Sequence, residues 1–143
     1  MTTTESEVRA VLESRVEACR AKDIDRLMSL YSPDIVYFDV VPPLYFSGTD
    51  AVRNNFLRWF NEYEGPIGLE TRELNIVASE NAAFARMLHQ DMGNANLTEK
   101  QKGFWLRSTV CCERSDGGWW ITHEHISLPV DFRSGSVLMN LAP

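Results

Sequence analysis

Apolar positions change their spacing along this chain. In the first part they recur every three or four residues, with one short interruption. In the second part they run together or alternate. Val8, Val11, Leu12, Val16 and Cys19 sit at helical spacing, which predicts a helix from about Ser6 to Lys22. Thr4-Glu5-Ser6-Glu7 ahead of it has the spacing of a capping box, with Thr4 as the cap. Asp23 is expected to cap a short second helix carrying Ile24, Leu27, Met28 and Tyr31, ended by Pro33. Ile35-Val36-Tyr37-Phe38-Asp39 reads as a short strand, and Pro42-Pro43 breaks it because proline cannot continue a ladder. Thr49 is expected to cap a third helix with the stripe Val52, Phe56, Trp59, Phe60 and Tyr63. Gly65-Pro66-Ile67-Gly68 stops it.

Beyond that point the pattern predicts strands: Leu69 to Ser79, Ala82 to Met92, Gly103 to Arg114 and Trp119 to Ser127. The polar run Gly93 to Lys102 reads as a loop. The tail from Val130 to Pro143 either adds a short element or covers a neighbouring subunit. Helices segregated from an antiparallel meander give an α+β fold. A long curved, antiparallel or mixed sheet with three N-terminal helices over its concave face makes a cone. Pockets in such cones are apolar, with a few polar groups converging inside.

The last long strand carries the candidate chemistry. It follows the turn signal Ser115-Asp116-Gly117-Gly118 and stops before Pro129. Strand side chains alternate faces. Uninterrupted alternation puts Trp119, Ile121, His123, His125 and Ser127 on one face, with the two histidines roughly 6–7 Å apart. Trp120, Thr122, Glu124, Ile126 and Leu128 fall on the other. The histidine face is expected to line the pocket. The apolar opposite face, with Trp120, Ile126 and Leu128, is expected to meet a second copy and form a homodimer.

At 143 residues the chain is read as a single domain over 1–143. Its formal net charge of −6 argues against nucleic acid, whose phosphates call for a basic face. Cys19, Cys111 and Cys112 are an odd set and give no disulfide framework. The start lacks a basic segment followed by an apolar run, and no apolar stretch approaches membrane length. The expectation is a cytoplasmic protein with no membrane partner. No Gly-x-Gly-x-x-Gly or phosphate-loop pattern occurs, so no cofactor is expected. No Gly-x-Ser-x-Gly elbow supports serine hydrolysis.

Each candidate has a functional and a plain structural reading. Asp39 ends an apolar strand, and apolar surroundings raise a carboxyl's pKa toward that of a general base. It could equally be a turn aspartate held by backbone amides. His125 and His123 could serve as an acid–base pair or be satisfied core groups. A His-x-His pair can also hold a metal, but needs further ligands. His89, Asp39 and Glu124 are the evident ones, and with Glu124 facing away no metal site is expected. Arg107 shares a strand face with Trp105, Thr109 and Cys111. It could grip Asp39 as a structural bridge, or hold a substrate carboxylate or enolate. Tyr37, Tyr45, Trp59 and Trp105 are candidates to line the pocket.

Several stretches carry a family resemblance: Leu30-Tyr31-Ser32-Pro33-Asp34 leading into a strand, Gly48 before a helix, and the ending Asp116-Gly117-Gly118-Trp119-x-Ile121-x-His123-x-His125-x-Ser127. With these the chain resembles the SnoaL-like and ketosteroid-isomerase-like branch of the nuclear transport factor 2-like superfamily, which has a cystatin-like fold. The stretch from Tyr31 to Gly48 matches that of the isomerases and implies Asp39 as general base. Their two-donor oxyanion hole does not carry over. No tyrosine precedes Tyr31, although Arg15 falls near the expected place, and Gly103 to Cys112 contains no acid. Asp39, His125, His123 and Tyr37 are loosely similar to the set of the scytalone-dehydratase type.

The resemblance implies a cofactor-free enzyme acting on a small apolar carbonyl or hydroxyl compound by isomerisation, dehydration or cyclisation. Asp39 would take a proton, His125 with His123 would move one at the oxygen, and Arg107 would stabilise negative charge. A binding module of the same shape without turnover is the alternative. A metal site on a cupin-type barrel is a third reading, opposed by the N-terminal helices.

Overall fold

The computed structural model describes residues 2–93 and 103–143. The described residues form α1 (Thr3–Ala21), α2 (Ile24–Met28), β1 (Tyr31–Phe38), β2 (Phe46–Ser47), α3 (Thr49–Phe60), β3 (Gly68–Ala78), β4 (Ala82–Gly93), β5 (Phe104–Ser115), β6 (Gly118–Ser127), β7 (Val130–Asp131) and β8 (Ser136–Val137). The expected loop at 93–102 lies almost entirely outside them. Six strands make one sheet in the order β2-β1-β6-β5-β4-β3, and β7 and β8 form a separate hairpin. β1 and β6 run parallel, while β3 to β6 form an antiparallel meander. The architecture is the α+β fold that the residue pattern predicts.

Local chemistry explains the element ends. Thr2, not Thr4, caps α1: its hydroxyl oxygen accepts from the Glu5 amide at 3.0 Å. The helix therefore starts earlier than the capping-box spacing suggests. Asp23 caps α2 by accepting from the Arg26 amide at 3.2 Å. Pro33 does not separate helix from strand, because β1 already begins at Tyr31. The proline falls where β1 slips register between Tyr31 and Val36, a place where a missing amide costs little. Thr49 is the first residue of α3 rather than its cap, and Gly48 holds the cap position at φ 87°, a conformation that favours glycine.

The decisive local feature is a bulge in β6. Cys111 pairs with His123, but Cys112 pairs with Ile121, so Thr122 is an extra residue. An extra residue reverses the inside–outside phase beyond it. Ile121 and Glu124 consequently share the inner face, both fully buried. His123 is half-buried and His125 exposed, on the outer face. This overturns the face assignment made by uninterrupted alternation, and Glu124 faces inward. Ile126 also changes sides and packs against the core. Trp120 remains outside.

The core lies between the concave sheet face and the helices. Val8, Leu12 and Cys19 of α1 and Val52, Phe56 and Phe60 of α3 meet Tyr31, Ile35, Tyr37, Ala85, Met87, Val110 and Ile121. Phe56 sits 5.4 Å from both Tyr31 and Tyr37, centroid to centroid.

The phase reversal predicts contrasting costs on β6. Ile121→Ala empties a fully buried site and is expected to lose about 2–5 kcal/mol. His125→Ala, at an exposed site, is expected to stay within about 0.5 kcal/mol. Urea unfolding of both variants checks this, and similar losses at both positions would contradict it.

Candidate functional site

An arginine on the apolar stripe of a helix needs a buried acid. Arg15 lies between Leu12 and Cys19 on α1 and is only 5% exposed. The β6 bulge delivers Glu124 to it. Arg15 Nε donates to Glu124 Oε1 at 2.9 Å, and Nη2 donates to Oε2. The Tyr31 hydroxyl donates to Oε1 at 2.6 Å, and the Tyr37 hydroxyl also bonds this carboxylate. Burial alone would raise the Glu124 pKa. The Arg15 charge and the bonds from Arg15, Tyr31 and Tyr37 outweigh it, and the net shift is downward. Burial pushes the Tyr31 and Tyr37 hydroxyls well above their ordinary value, so they remain donors.

Beside this pair a cavity of about 280 Å³ opens between α1 and the strands β3 and β4. Leu12, Val16, Leu74 and Met87 make it apolar, and Arg15, Thr71 and His89 supply polar groups. Exposed Glu13, Glu17 and Arg20 stand along its α1 side. His89 is 2% exposed, and its Nδ1 lies 2.9 Å from Thr71 Oγ1. Burial, reinforced by the Arg15 charge, lowers its pKa to about 3. The imidazole is therefore neutral near pH 7. Two buried polar atoms of this site have no hydrogen-bond partner among the described residues, Arg15 Nη1 and His89 Nε2.

Two further polar clusters stand inside the fold. Asp91 Oδ2 accepts from Trp59 Nε1 at 3.2 Å and from the Tyr63 hydroxyl at 3.3 Å. Asp39, at the end of β1, has a side chain only 10% exposed, with Arg58 Nη2 4.0 Å from Oδ2. Its Oδ2 accepts from Asn55 Nδ2 at 2.7 Å, and its Oδ1 accepts from the Val40 amide at 2.6 Å.

The sequence candidates thus divide between the two sides of the sheet. Tyr37 joins the Glu124 network, Trp59 reaches Asp91, and Asp39 packs against α3. His123 and His125 lie outside, stacked edge-on with Phe38 at centroid distances of 4.7 and 5.2 Å. His123 Nδ1 is 2.6 Å from the Val36 carbonyl oxygen, a plain structural bond. Arg107 is exposed and donates to Ser127 Oγ at 3.0 Å, gripping neither Asp39 nor an interior site. Its strand parity is regular, and that parity points outward. Trp105 lies on the same outer face under Arg72, 5.2 Å from the guanidinium. Tyr45 is 54% exposed. Among the described residues, no group of three or more His, Cys, Asp or Glu side chains is placed to hold a metal ion.

Arg15, Glu124 and His89 were not among the catalytic or substrate-binding candidates; His89 and Glu124 were weighed only as further metal ligands, and Arg15 only as falling near the place of the isomerases' tyrosine. One signal was available: a guanidinium in the apolar stripe of the first helix, which cannot be buried unpaired. Nothing in the spacing announced the bulge that brings Glu124 to it.

With fold and site in view, the chain belongs to the SnoaL-like domain family, whose model matches residues 8–131. It is similar over its whole length to an NTF2-like protein of unknown function from Pseudomonas putida KT2440, with 31% identity, 99% of that chain covered and a TM-score of 0.93. It shares its fold with a protein from Streptomyces avermitilis provisionally called a dehydratase of the NTF2-like family (16% identity, 87% of this chain and 95% of that one, TM-score 0.75). The same holds for a ketosteroid isomerase-like protein from Erwinia carotovora atroseptica SCRI1043 (19% identity, 89% and 97%, TM-score 0.71). No curated protein matches the chain by sequence.

Two predictions follow from the buried charges. Glu124→Leu leaves Arg15 without its partner and is expected to cost about 3–5 kcal/mol, whereas Arg15→Met with Glu124→Leu recovers most of that loss. Chemical denaturation of the singles and the double tests it, and additive losses would contradict it. His89 binds a proton at an ordinary 6.5 when unfolded but only near 3 when folded. The unfolded state therefore holds more protons across that window, and stability is lost as pH falls through it. His89→Leu is expected to flatten the decline between pH 6 and 4 by up to about 1.4 kcal/mol per pH unit. An unchanged slope would show that His89 is not buried neutral.

Proposed function

We propose that this SnoaL-like protein binds a small, largely apolar molecule in the cavity between α1 and strands β3 and β4. One observation carries the reading: an apolar cavity whose two deeply buried polar atoms, Arg15 Nη1 and His89 Nε2, lack partners among the described residues. Native interiors pair nearly all such groups, and leaving one unpaired costs about 1–3 kcal/mol. A ligand that supplies the missing partner offsets that cost. Buried groups left for a ligand are one way in which a site sets its specificity.

A second reading is a cofactor-free acid–base enzyme: an isomerase, dehydratase or cyclase acting on a carbonyl or hydroxyl compound. The nearly buried Asp39, oriented by Asn55 and the Val40 amide, favours it. So does the kind of protein that the Streptomyces and Erwinia structures are described to be. In this reading the acid partner of Asp39 comes from the inner side of the sheet, where His89 and Tyr37 stand, rather than from His123, His125 or Arg107.

A second copy of the chain is the partner we propose for the outer sheet face, where Val77 and Phe84 are about half exposed at 49% and 48%. The unpaired cysteines are in keeping with a reducing compartment such as the cytoplasm. No helix among the described residues is long and apolar enough to cross a membrane.

Leu74→Trp, which fills the cavity, separates the binding reading from surface adsorption. Small neutral apolar compounds that raise the Tm of the wild type are expected to have no effect on this variant. The same set of stabilising compounds for both proteins would refute the cavity as the binding site. For the partner, sedimentation at micromolar concentration is expected to give twice the chain mass, and a monomer would contradict it.

A further inference from the structure

We infer that the C-terminal hairpin of β7 and β8 is an arm that docks into a groove on the outer sheet face of a second copy, with Phe132 as its anchor, which rests on the second copy proposed above for that face. The chain carries both halves of such a contact, an apolar arm without a seat and an apolar groove without an occupant.

Every residue from Val130 to Pro143 is exposed except the half-buried Leu138. The segment is nonetheless rich in apolar side chains. Phe132 is 97% exposed, and Val130, Val137, Met139 and Leu141 are about half exposed. It also has a defined shape. Val130 pairs with Val137 and Asp131 with Ser136. The Gly135 amide donates to the Asp131 carbonyl oxygen at 2.7 Å, and the Leu138 amide to that of Pro129 at 2.9 Å. The side-chain bonds are equally local, from the Arg133 amide to Asp131 Oδ1 and from the Ser136 amide to Ser134 Oγ. An isolated two-stranded hairpin is marginally stable in water, and a chain end is ordered only where it is tied down. Apolar side chains on a hairpin that its own chain leaves uncovered call for a partner surface.

The outer sheet face supplies that surface. A groove of about 420 Å³ crosses β6, β5, β4 and β3, and its mostly apolar lining includes Thr122, Cys111, Glu113, Ala82, Phe84 and Val77. Thr122 is the extra residue of the β6 bulge. Glu113 is the one charged residue of this lining. It is exposed and has no ion pair among the described residues. The arm carries Arg133 directly beside Phe132, and Arg133 is likewise exposed and without an ion pair among the described residues. An aromatic anchor for the apolar groove and a cation for its single acid match it in shape class and in charge.

The arm does not reach the groove of its own chain. The groove lies toward the start of β6, whereas the arm leaves from the end of that strand. Thr122 and Ser127 are about 17 Å apart along it, while the two-residue strands of the hairpin span only about 7 Å. Phe132 and Phe84 both stand open in the single chain. A two-fold axis lying between two stacked sheets and across their strands sets the end of one β6 over the start of the other. Each arm then meets the other copy's groove, and the same contact is made twice.

A thiol placed on the arm opposite the half-buried free Cys111 tests this directly. Phe132→Cys, oxidised with diamide at a concentration where it sediments as a dimer, is expected to run as a covalent dimer on a denaturing gel without reductant. Phe132→Cys combined with Cys111→Ser is expected to run as a monomer. In sedimentation of the full chain, Phe132→Asp is expected to weaken the dimer at least about tenfold. Arg133→Glu and Glu113→Arg are each expected to weaken it about tenfold, and the two together to restore most of the loss. Circular dichroism confirms that each variant is folded.

A wild-type dimer that Phe132→Asp and both charge reversals leave unchanged would overturn the arm while leaving the sheet face as the surface for a second copy. So would a covalent dimer that survives Cys111→Ser, since arm would then meet arm, or a dimeric Phe132→Cys that does not cross-link at all. A wild-type chain that sediments as a monomer would overturn both the arm and the second copy.

Discussion

Arg15 and Glu124 hold the first helix onto the sheet. Each is a charge that the interior cannot accept alone, and each reaches the other only because of where its element places it. The helical spacing of α1 turns Arg15 toward the sheet along with Val8, Leu12 and Cys19. The extra residue Thr122 turns Glu124 toward the helix. Tyr31 at the start of β1 and Tyr37 near its end complete the carboxylate's hydrogen bonds. One buried acid thus ties together α1, β1 and β6, elements that are distant in the chain. Replacing such a pair by well-packed apolar groups is often neutral for stability.

The same pair shapes the site. A guanidinium has five N–H donors in a fixed fork. Glu124 takes the Nε and Nη2 side, which leaves Nη1 without a hydrogen-bond partner among the described residues. The Arg15 charge also acts on His89, adding to burial in keeping that ring neutral. The group that anchors the helix is also the group that gives the cavity a polar floor. An apolar wall with a small polar floor favours molecules that are mostly hydrocarbon with one oxygen in the right place.

Much of the fold is legible in the residue pattern. The helix stripes from Val8 to Cys19 and from Val52 to Phe60, the change to strand-like spacing after residue 68, and the Gly117-Gly118 turn all predict what is seen. The site was far less legible, for a specific reason. Strand faces are read by counting in twos, and β1, β3 and β6 each slip register. At β6 one extra residue exchanges His123 and His125 for Glu124 on the inner face. Counting through a bulge gives the wrong side for everything beyond it, and no residue near Thr122 marks the bulge in the way that glycine often does. Arg107 shows the converse: its parity was regular, but its supposed partner faced the other way. Asp39 and Tyr37 were placed inside on both grounds, since they lie on the regular end of β1. Arg15 was visible as a mismatch in an apolar stripe, and its pairing with an acid on a strand was the inference available from it.

The central claim is that Glu124 is an ionised acid buried against Arg15 at the heart of the fold. Carbon-13 NMR of the Glu124 side-chain carboxyl across an acid titration tests it most directly. The structure predicts a carboxyl that stays ionised below the ordinary glutamate value of 4.5, titrating only where the fold itself gives way. A Glu124 signal that titrates at the ordinary value in the folded protein would place this residue in solvent. It would return the interior to the histidines and remove the basis for the site.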